Sequence, residues 1–234
     1  MIHITIRLKR TFVIADIHGC FKSLKALIED QLKPLPEDQL IFLGDYIDRG
    51  PDSKSVINYL IQINNTYRNT VFLRGNHEQM FIDAQTSMQA HTQWVRAGGE
   101  EVLVSYGLKN SDTIPFHFKD FILNTTYYHQ TEQHIFVHAG LNNFAPFPFK
   151  DYNAMMWIRE FEVTSALTNG RVLMHGHTPT SLEEIQEQIL NASKQYVICL
   201  DNGCVFKGKR EGLGNLVALE IETNRLFIQH NIDF

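Results

Sequence analysis

No apolar run in this chain approaches the roughly 18 residues that a bilayer-spanning helix requires, so a membrane partner is not expected. The apolar core of an export signal is also missing. Residues 1–9 instead alternate Ile2, Ile4, Ile6 and Leu8 with polar residues and predict a first strand. A cytoplasmic location is the resulting expectation. Cysteine is scarce: Cys20, Cys199 and Cys204 stand alone, with no Cys-x-x-Cys pair. That spacing supports neither a disulfide framework nor a structural zinc site, and packed, reduced thiols are expected. Basic charge is in short supply as well. Lys and Arg number 21 against 26 Asp and Glu, a net charge of -5, which argues against a nucleic-acid partner. The local stretch Lys207, Lys209, Arg210 reads as a solvated loop. No repeat, low-complexity tract or Ser/Gly-rich linker divides the chain. Its 234 residues, 44% hydrophobic and 20% charged, suit one α/β domain over residues 1–234.

What is present is a recurrence. A short apolar run ends abruptly in an ionisable or amide residue, five times over. Residues 11–15 run into Asp16, residues 40–44 into Asp45, and residues 70–74 into Gly75, Asn76 and His77. Residues 134–137 run into His138, and residues 171–174 into His175 and His177. Runs of this length and composition suit strands buried on both faces. Leu24, Leu27, Ile28 and Leu32 share one face of a helix between the first two runs. Val56, Ile57, Leu60 and Ile61 do the same in the next interval, behind Pro51, Asp52 and Ser53 as a cap. Strands alternating with helices predict a largely parallel sheet, with ligands bound beyond the carboxyl ends of the strands. Every polar cluster falls at such an end, so five loops are expected to converge on one edge. A helical insert is expected around 78–125. Residues 144–152, rich in aromatics, read as a loop near the site. Runs at 196–200, 215–221 and 225–230 predict tail strands forming a second, more antiparallel sheet.

An aspartate at a strand end is ordinarily a helix cap, and a single histidine there is ordinarily a packed structural residue. Five such ends together make one chemical set. Asp and His ligands suit manganese, iron or zinc, and a carboxylate can bridge two ions. Two divalent cations neutralised by Asp16, Asp45 and a hydroxide would keep positive charge for a phosphate dianion.

The fragments are Asp16-Ile17-His18-Gly19, Gly44-Asp45-Tyr46-Ile47-Asp48-Arg49-Gly50, Gly75-Asn76-His77-Glu78, His138-Ala139-Gly140-Leu141 and His175-Gly176-His177-Thr178-Pro179. In this order they resemble the phosphoprotein phosphatase family within the calcineurin-like metallophosphoesterases, in its small bacterial and bacteriophage form. The likeness covers residues 12–203, with further echoes at Gly98-Gly99, Trp157-Ile158-Arg159-Glu160 and Leu200-Asp201-Asn202-Gly203. It implies a four-layer αββα sandwich of two mixed sheets flanked by helices. It implies two divalent metal ions, manganese first with iron or zinc as alternatives. Asp16 and His18 would hold one ion, Asn76, His138 and His177 the other, and Asp45 would bridge them. His77 would be the general acid paired with Asp48, while Arg49, Arg74 and Arg159 would bind phosphate. The implied reaction is hydrolysis of phosphoserine and phosphothreonine in phosphoproteins or phosphopeptides, through a hydroxide activated between the ions. Plainer readings stand beside these roles: Asp48 and Arg49 as a surface ion pair, Arg159 as a solvated helix residue, Glu78 as loop support. His175 reads as a packed or hydrogen-bonded histidine. Ala15 replaces the family's usual Gly, which would tighten the space beside the first metal. Symmetrical dinucleoside tetraphosphate hydrolases share this fold, but typically have Ala at the position of Asp48 and Asp at that of Glu78. A non-catalytic phosphoprotein-binding module would have lost ligands that this chain retains.

Overall fold

A computed structural model describes residues 9–109 and 111–234. The strand expected at residues 1–9 falls almost wholly outside the described residues. The described residues fold into two sheets, one five-stranded and one four-stranded. The first three strands are β1 (Thr11–Ile14), β2 (Gln39–Phe42) and β3 (Asn69–Phe72). They are parallel and in register, Thr11 opposite Gln39 and Gln39 opposite Asn69. Helix α1 (Phe21–Ala26), which continues as a wider turn over Leu27–Leu32, and helix α2 (Ser53–Thr66) make the connections. Asp52 caps α2, its carboxylate accepting from the Ser55 amide at 2.9 Å.

Strand period 2 separates the two faces of the first sheet. Phe12, Ile14, Leu40 and Phe42 pack against Leu24, Leu27, Val56, Ile57 and Leu60 of the helices. Val13 and Ile41 face the other way, into the core shared with the second sheet. With both faces covered, these strands need the near-continuous apolar runs they have. Full burial of one such side chain contributes roughly 1.5–3 kcal/mol.

After β3 the chain is helical for some fifty residues: α3 (Asn76–Ala84), α4 (Met88–Trp94), a wide turn at Val95–Gly99, α5 (Glu100–Tyr106) and α6 (Phe116–Leu123). Phe81, Trp94, Val102 and Phe118 bury these helices in the core on the helical side of the first sheet. The second sheet comprises β4 (Tyr128–Gln130), β5 (His134–Val137), β6 (Val172–His175) and β7 (Val197–Cys199) in that order. Phe136, Met174 and Ile198 face the shared core. Ile135, Val137 and Leu173 face outward onto Met155 of α7 (Tyr152–Trp157) and Leu167 of α8 (Ser165–Thr168). The layers are therefore helix, sheet, sheet, helix.

One expectation needs correction. The tail strands do not form a sheet of their own. β8 (Asn215–Glu220) pairs antiparallel with β1, and β9 (Arg225–His230) pairs with β8, so both extend the first sheet. β7 joins the second sheet, parallel to β6. Alternation along a strand reports its faces and says nothing of its partner. Val217 and Leu219 face the inter-sheet core while Leu216 and Ala218 face the helices, which suits a central position as well as a separate layer. Leu182–Gln195 forms a long helix, α9, which is not among the elements expected above. Its signal was local: Ser181 accepts from the Glu184 amide at 3.2 Å, with Glu183 and Glu184 in the first turn.

Candidate metal centre and active site

The carboxyl ends of β1, β2, β3, β5 and β6 lie on one side of the sandwich. The residues that follow them are buried and in contact: Asp16, His18, Asp45, Asn76, His138 and His177 are each at most 6% exposed. Asp45 stands at the centre. Its Oδ2 is 3.4 Å from His18 Nε2 and its Oδ1 is 3.4 Å from His138 Nε2. Among the described residues two sets of potential ligand atoms result, His18–Asp45–His77 and Asp45–His138–His177, each within 4.8 Å, and Asp45 belongs to both.

Backbone contacts orient the imidazoles. His18 Nδ1 donates to the Ile47 carbonyl at 2.9 Å and His138 Nδ1 to the Leu43 carbonyl at 2.8 Å, so each presents Nε2 to the cluster. Asn76 Oδ1 lies 3.0 Å from both His138 Nε2 and His177 Nδ1. Asp16 Oδ2 accepts from the His177 amide at 3.0 Å. Among the described residues its other oxygen, Oδ1, has no hydrogen-bond partner, and neither has His177 Nε2 or His77 Nε2. Buried polar atoms without partners are costly, and a bound cation accounts for donors arranged in this way. The residues fit a pair of divalent ions.

Charge in the cluster is distributed unevenly. Burial and the neighbouring Asp201 push the Asp16 carboxyl well up. Burial also works against Asp45, but His138, His77 and His18 outweigh it and hold Asp45 well below the usual carboxylate range. Burial opposes a charged His138 too, yet Asp45 and Asp16 raise it to about 10.

The turns that bring these side chains together are conformationally costly. His18, Asp45, Asp48, Arg49 and His177 have φ of 46°, 51°, 71°, 67° and 69°. Each left-handed, non-glycine residue costs of order 1–3 kcal/mol and persists only where its surroundings enforce it. Gly176 is required by close approach, since a Cβ there would collide with Asp16 Oδ1. Glu78, fully buried, ties two turns together by accepting from the amide of Gly75 (2.9 Å) after β3 and from those of Asp45 (2.8 Å) and Tyr46 (2.8 Å) after β2. Its role as loop support is thus visible, although burial, followed by Asp45, raises it to about 8.

His77 and Asp48 are both 0% exposed, and His77 Nδ1 lies 2.6 Å from Asp48 Oδ2. The alternative of a surface pair for Asp48 is ruled out by that burial. Arg49 Nη1 donates to His18 Nε2 at 2.9 Å, which places its guanidinium in the cluster. Arg159 is exposed, close enough to His177 to contribute to its depressed pKa after burial and His138. Arg74 departs from expectation. Its guanidinium donates to Thr125 Oγ1 (3.0 Å), the Leu123 carbonyl (2.9 Å), the Thr125 carbonyl (3.2 Å) and Tyr127 Oη (3.2 Å). The acceptors come from the turn after α6, which no local pattern near Arg74 announces. His175 packs edge-on against Phe161 and lies outside both ligand sets, as its packed reading expected. Ala15 sits in the inter-sheet core, so its methyl packs between the sheets and does not crowd the metal side.

A family model described as calcineurin-like phosphoesterase matches residues 9–206. The chain belongs to the calcineurin-like phosphoesterases. Members of this metallophosphoesterase family work with a dimetal centre, which suits the doubly shared Asp45. The phosphoesterase is 30% identical over 210 residues to serine/threonine-protein phosphatase 1 of Salmonella typhimurium, covering 86% of this chain and 89% of that one. It is 24% identical over 200 residues to a symmetrical bis(5'-nucleosyl)-tetraphosphatase of Nitrosomonas europaea, covering 82% and 69%. A crystal structure of a candidate diadenosine tetraphosphatase superposes with a TM-score of 0.67 at 17% identity, covering 97% of this chain and 95% of that one.

Two residues of the phosphoesterase site have no role in the expectations above, although Asp201 lies in one of the fragments that carry the resemblance. Trp94 Nε1 donates to Asp48 Oδ1 at 3.0 Å. Asp201 is buried beside Asp16, its Oδ1 accepting from the Gly203 amide at 2.7 Å. A tryptophan within an otherwise polar stretch just before Gly98-Gly99 was the available signal for the first. For Asp201 it was an aspartate closing the apolar run at 197–200.

Proposed function

We propose that this phosphoesterase is a protein serine/threonine phosphatase, a phosphomonoesterase that uses two divalent cations, manganese first, with iron or zinc as alternatives. The observation that carries the reading is the buried His77–Asp48 pair at 2.6 Å, with His77 Nε2 unpartnered among the described residues. A serine or threonine alkoxide is a poor leaving group and needs a proton as the P–O bond breaks. A positioned acid supplies about 10²–10⁴-fold there. A polyphosphate chain leaves far more readily and has less need of such an acid, which disfavours the tetraphosphatase alternative.

Asp16 and His18 would hold one ion, Asn76, His138 and His177 the other, and Asp45 both. Cations so bound supply Lewis-acid activation of water and neutralise charge on the phosphoryl group. The chain's own residues do the rest. Asp48 holds the His77 ring with Nδ1–H donating to it, leaving Nε2–H to protonate the leaving oxygen. Arg49 and Arg159 bind the phosphoryl oxygens in fork geometry and stabilise the charge spreading over them. Phosphoproteins or phosphopeptides are the partners, and the net charge of -5 disfavours nucleic acid. Free, buried thiols at Cys20, Cys199 and Cys204 suit a reducing cytoplasm.

Turnover of a phosphoserine peptide and of diadenosine tetraphosphate, compared by kcat/KM, tests the substrate class. Preference for the peptide is expected, and a strong preference for the nucleotide would overturn it. His77→Asn is expected to lower kcat on the peptide about 10²-fold or more with metal content unchanged. Unchanged turnover would remove the acid role, and no turnover in the parent protein would favour a binding module.

A further inference from the structure

We propose that Trp94 is a positioning residue for the reaction, the third member of a relay that runs Trp94–Asp48–His77. The inference rests on His77 being the acid. Asp48 makes one bond from each carboxylate oxygen: Oδ2 to His77 Nδ1 at 2.6 Å and Oδ1 to Trp94 Nε1 at 3.0 Å. Opposed bonds of this kind fix the plane of the carboxylate. With only the His77 bond, rotation about the terminal Asp torsion, which is intrinsically broad, would be restrained on one side alone. An indole N–H is suited to the task. It donates and cannot accept, so it favours the ionised carboxylate and never takes the His77 proton.

The indole is itself held. Trp94 is 0% exposed, its ring edge-on to Phe81 at 5.4 Å. Gly99 lies flat against it, so close that a Cβ at that position would collide with the indole carbons. The same turn grips the neighbouring phosphate residue. The Gly98 carbonyl accepts from the Arg49 amide at 3.0 Å, and a Cβ on Gly98, at φ 119°, would lie 2.7 Å from Arg49 Cγ. Asp48 and Arg49 are consecutive residues in the left-handed region, at φ 71° and 67°. One turn of the helical insert, Val95–Gly99 with Trp94 before it, therefore clamps both members of the strained pair. The insert sets the geometry of the acid from outside the metal-binding loops.

Leaving-group dependence tests this, because a residue acting only on stability changes all esters alike. Trp94→Phe should lower kcat/KM on a phosphoserine peptide about tenfold, with progressively smaller losses on phenyl phosphate and p-nitrophenyl phosphate as the leaving group improves. The slope of log kcat/KM against leaving-group pKa should steepen, and metal content should stay at the wild-type level. If Trp94→Phe does not fold, a second route keeps the shape. The chain has two tryptophans, so in a Trp157→Phe background Trp94 can be replaced biosynthetically by benzothienylalanine, which has sulfur in place of N–H. That replacement should steepen the same slope relative to the Trp157→Phe parent. An unchanged slope in the folded variant overturns the relay. The controls separate the two failures. If His77→Asn does not steepen the slope, the acid reading falls and the relay with it. If His77→Asn steepens it and the Trp94 variant does not, only the relay falls.

Discussion

Asp45 is the residue on which the cluster turns, because one carboxylate faces two ligand sets with a different oxygen toward each. Its replacement should not resemble replacement of a peripheral ligand. Asp45→Ala is expected to lower bound metal, measured by elemental analysis after dialysis, to well under one ion per chain, from about two in the parent. His138→Ala should leave about one. Equal metal content in the two variants would show that Asp45 does not bridge. Arg49 is distinguished from Arg74 on similar grounds. Both follow apolar runs, but Arg49 reaches His18 whereas Arg74 uses its donors on the turn at Leu123 and Thr125.

Between elements, Arg10 and Asp38 join the start of β1 to the turn that precedes β2. Arg10 Nε and Nη2 both donate to Asp38 Oδ2, and the amides of Arg10 and Leu35 donate to the same carboxylate. Burial acts to raise the Asp38 pKa, but these bonds outweigh it and the net shift is downward. A carboxylate with a depressed folded pKa stabilises above its unfolded value, near 3.8, and loses that contribution as pH falls through the lower folded value. Asp38→Asn should therefore cost about 1–2 kcal/mol at pH 7, discounted for the partly exposed arginine. The difference from the parent should shrink as pH drops below 4. Urea unfolding at a series of pH values measures it, and a difference constant down to pH 3 would contradict the account.

Across the whole molecule, metal and fold are expected to be coupled, because the two sheets meet at their carboxyl ends over buried carboxylates, Asp16, Asp45 and Asp201 among them. Cations there offset repulsion that the fold otherwise bears. Ligand at 100 times its dissociation constant stabilises the folded state by about 2.7 kcal/mol. At roughly 2–4 °C per kcal/mol for a chain of this size, chelation should lower Tm by about 5–10 °C, and added manganese should restore it. No change in Tm would mean that the carboxylates are satisfied without cations.

The five strand ends were legible in the sequence because two local signals coincide there: a short apolar run, buried on both faces in all but the edge strand β3, and an abrupt polar residue where the strand enters a turn. Asp16, Asp45, Asn76, His138 and His177 could be named from those signals, and the family resemblance ordered them. Pairing was not legible, since β8 alternates equally well as the middle of one sheet or as part of another. Nor were long-range anchors such as Trp94 for Asp48 or Thr125 for Arg74, which lie 46 and 51 residues away. Local sequence determines which faces are apolar and where a strand stops. Which buried polar group meets which is decided only when the chain closes on itself, because a hydrogen bond depends on position to within tenths of an ångström and periodicity carries no such information.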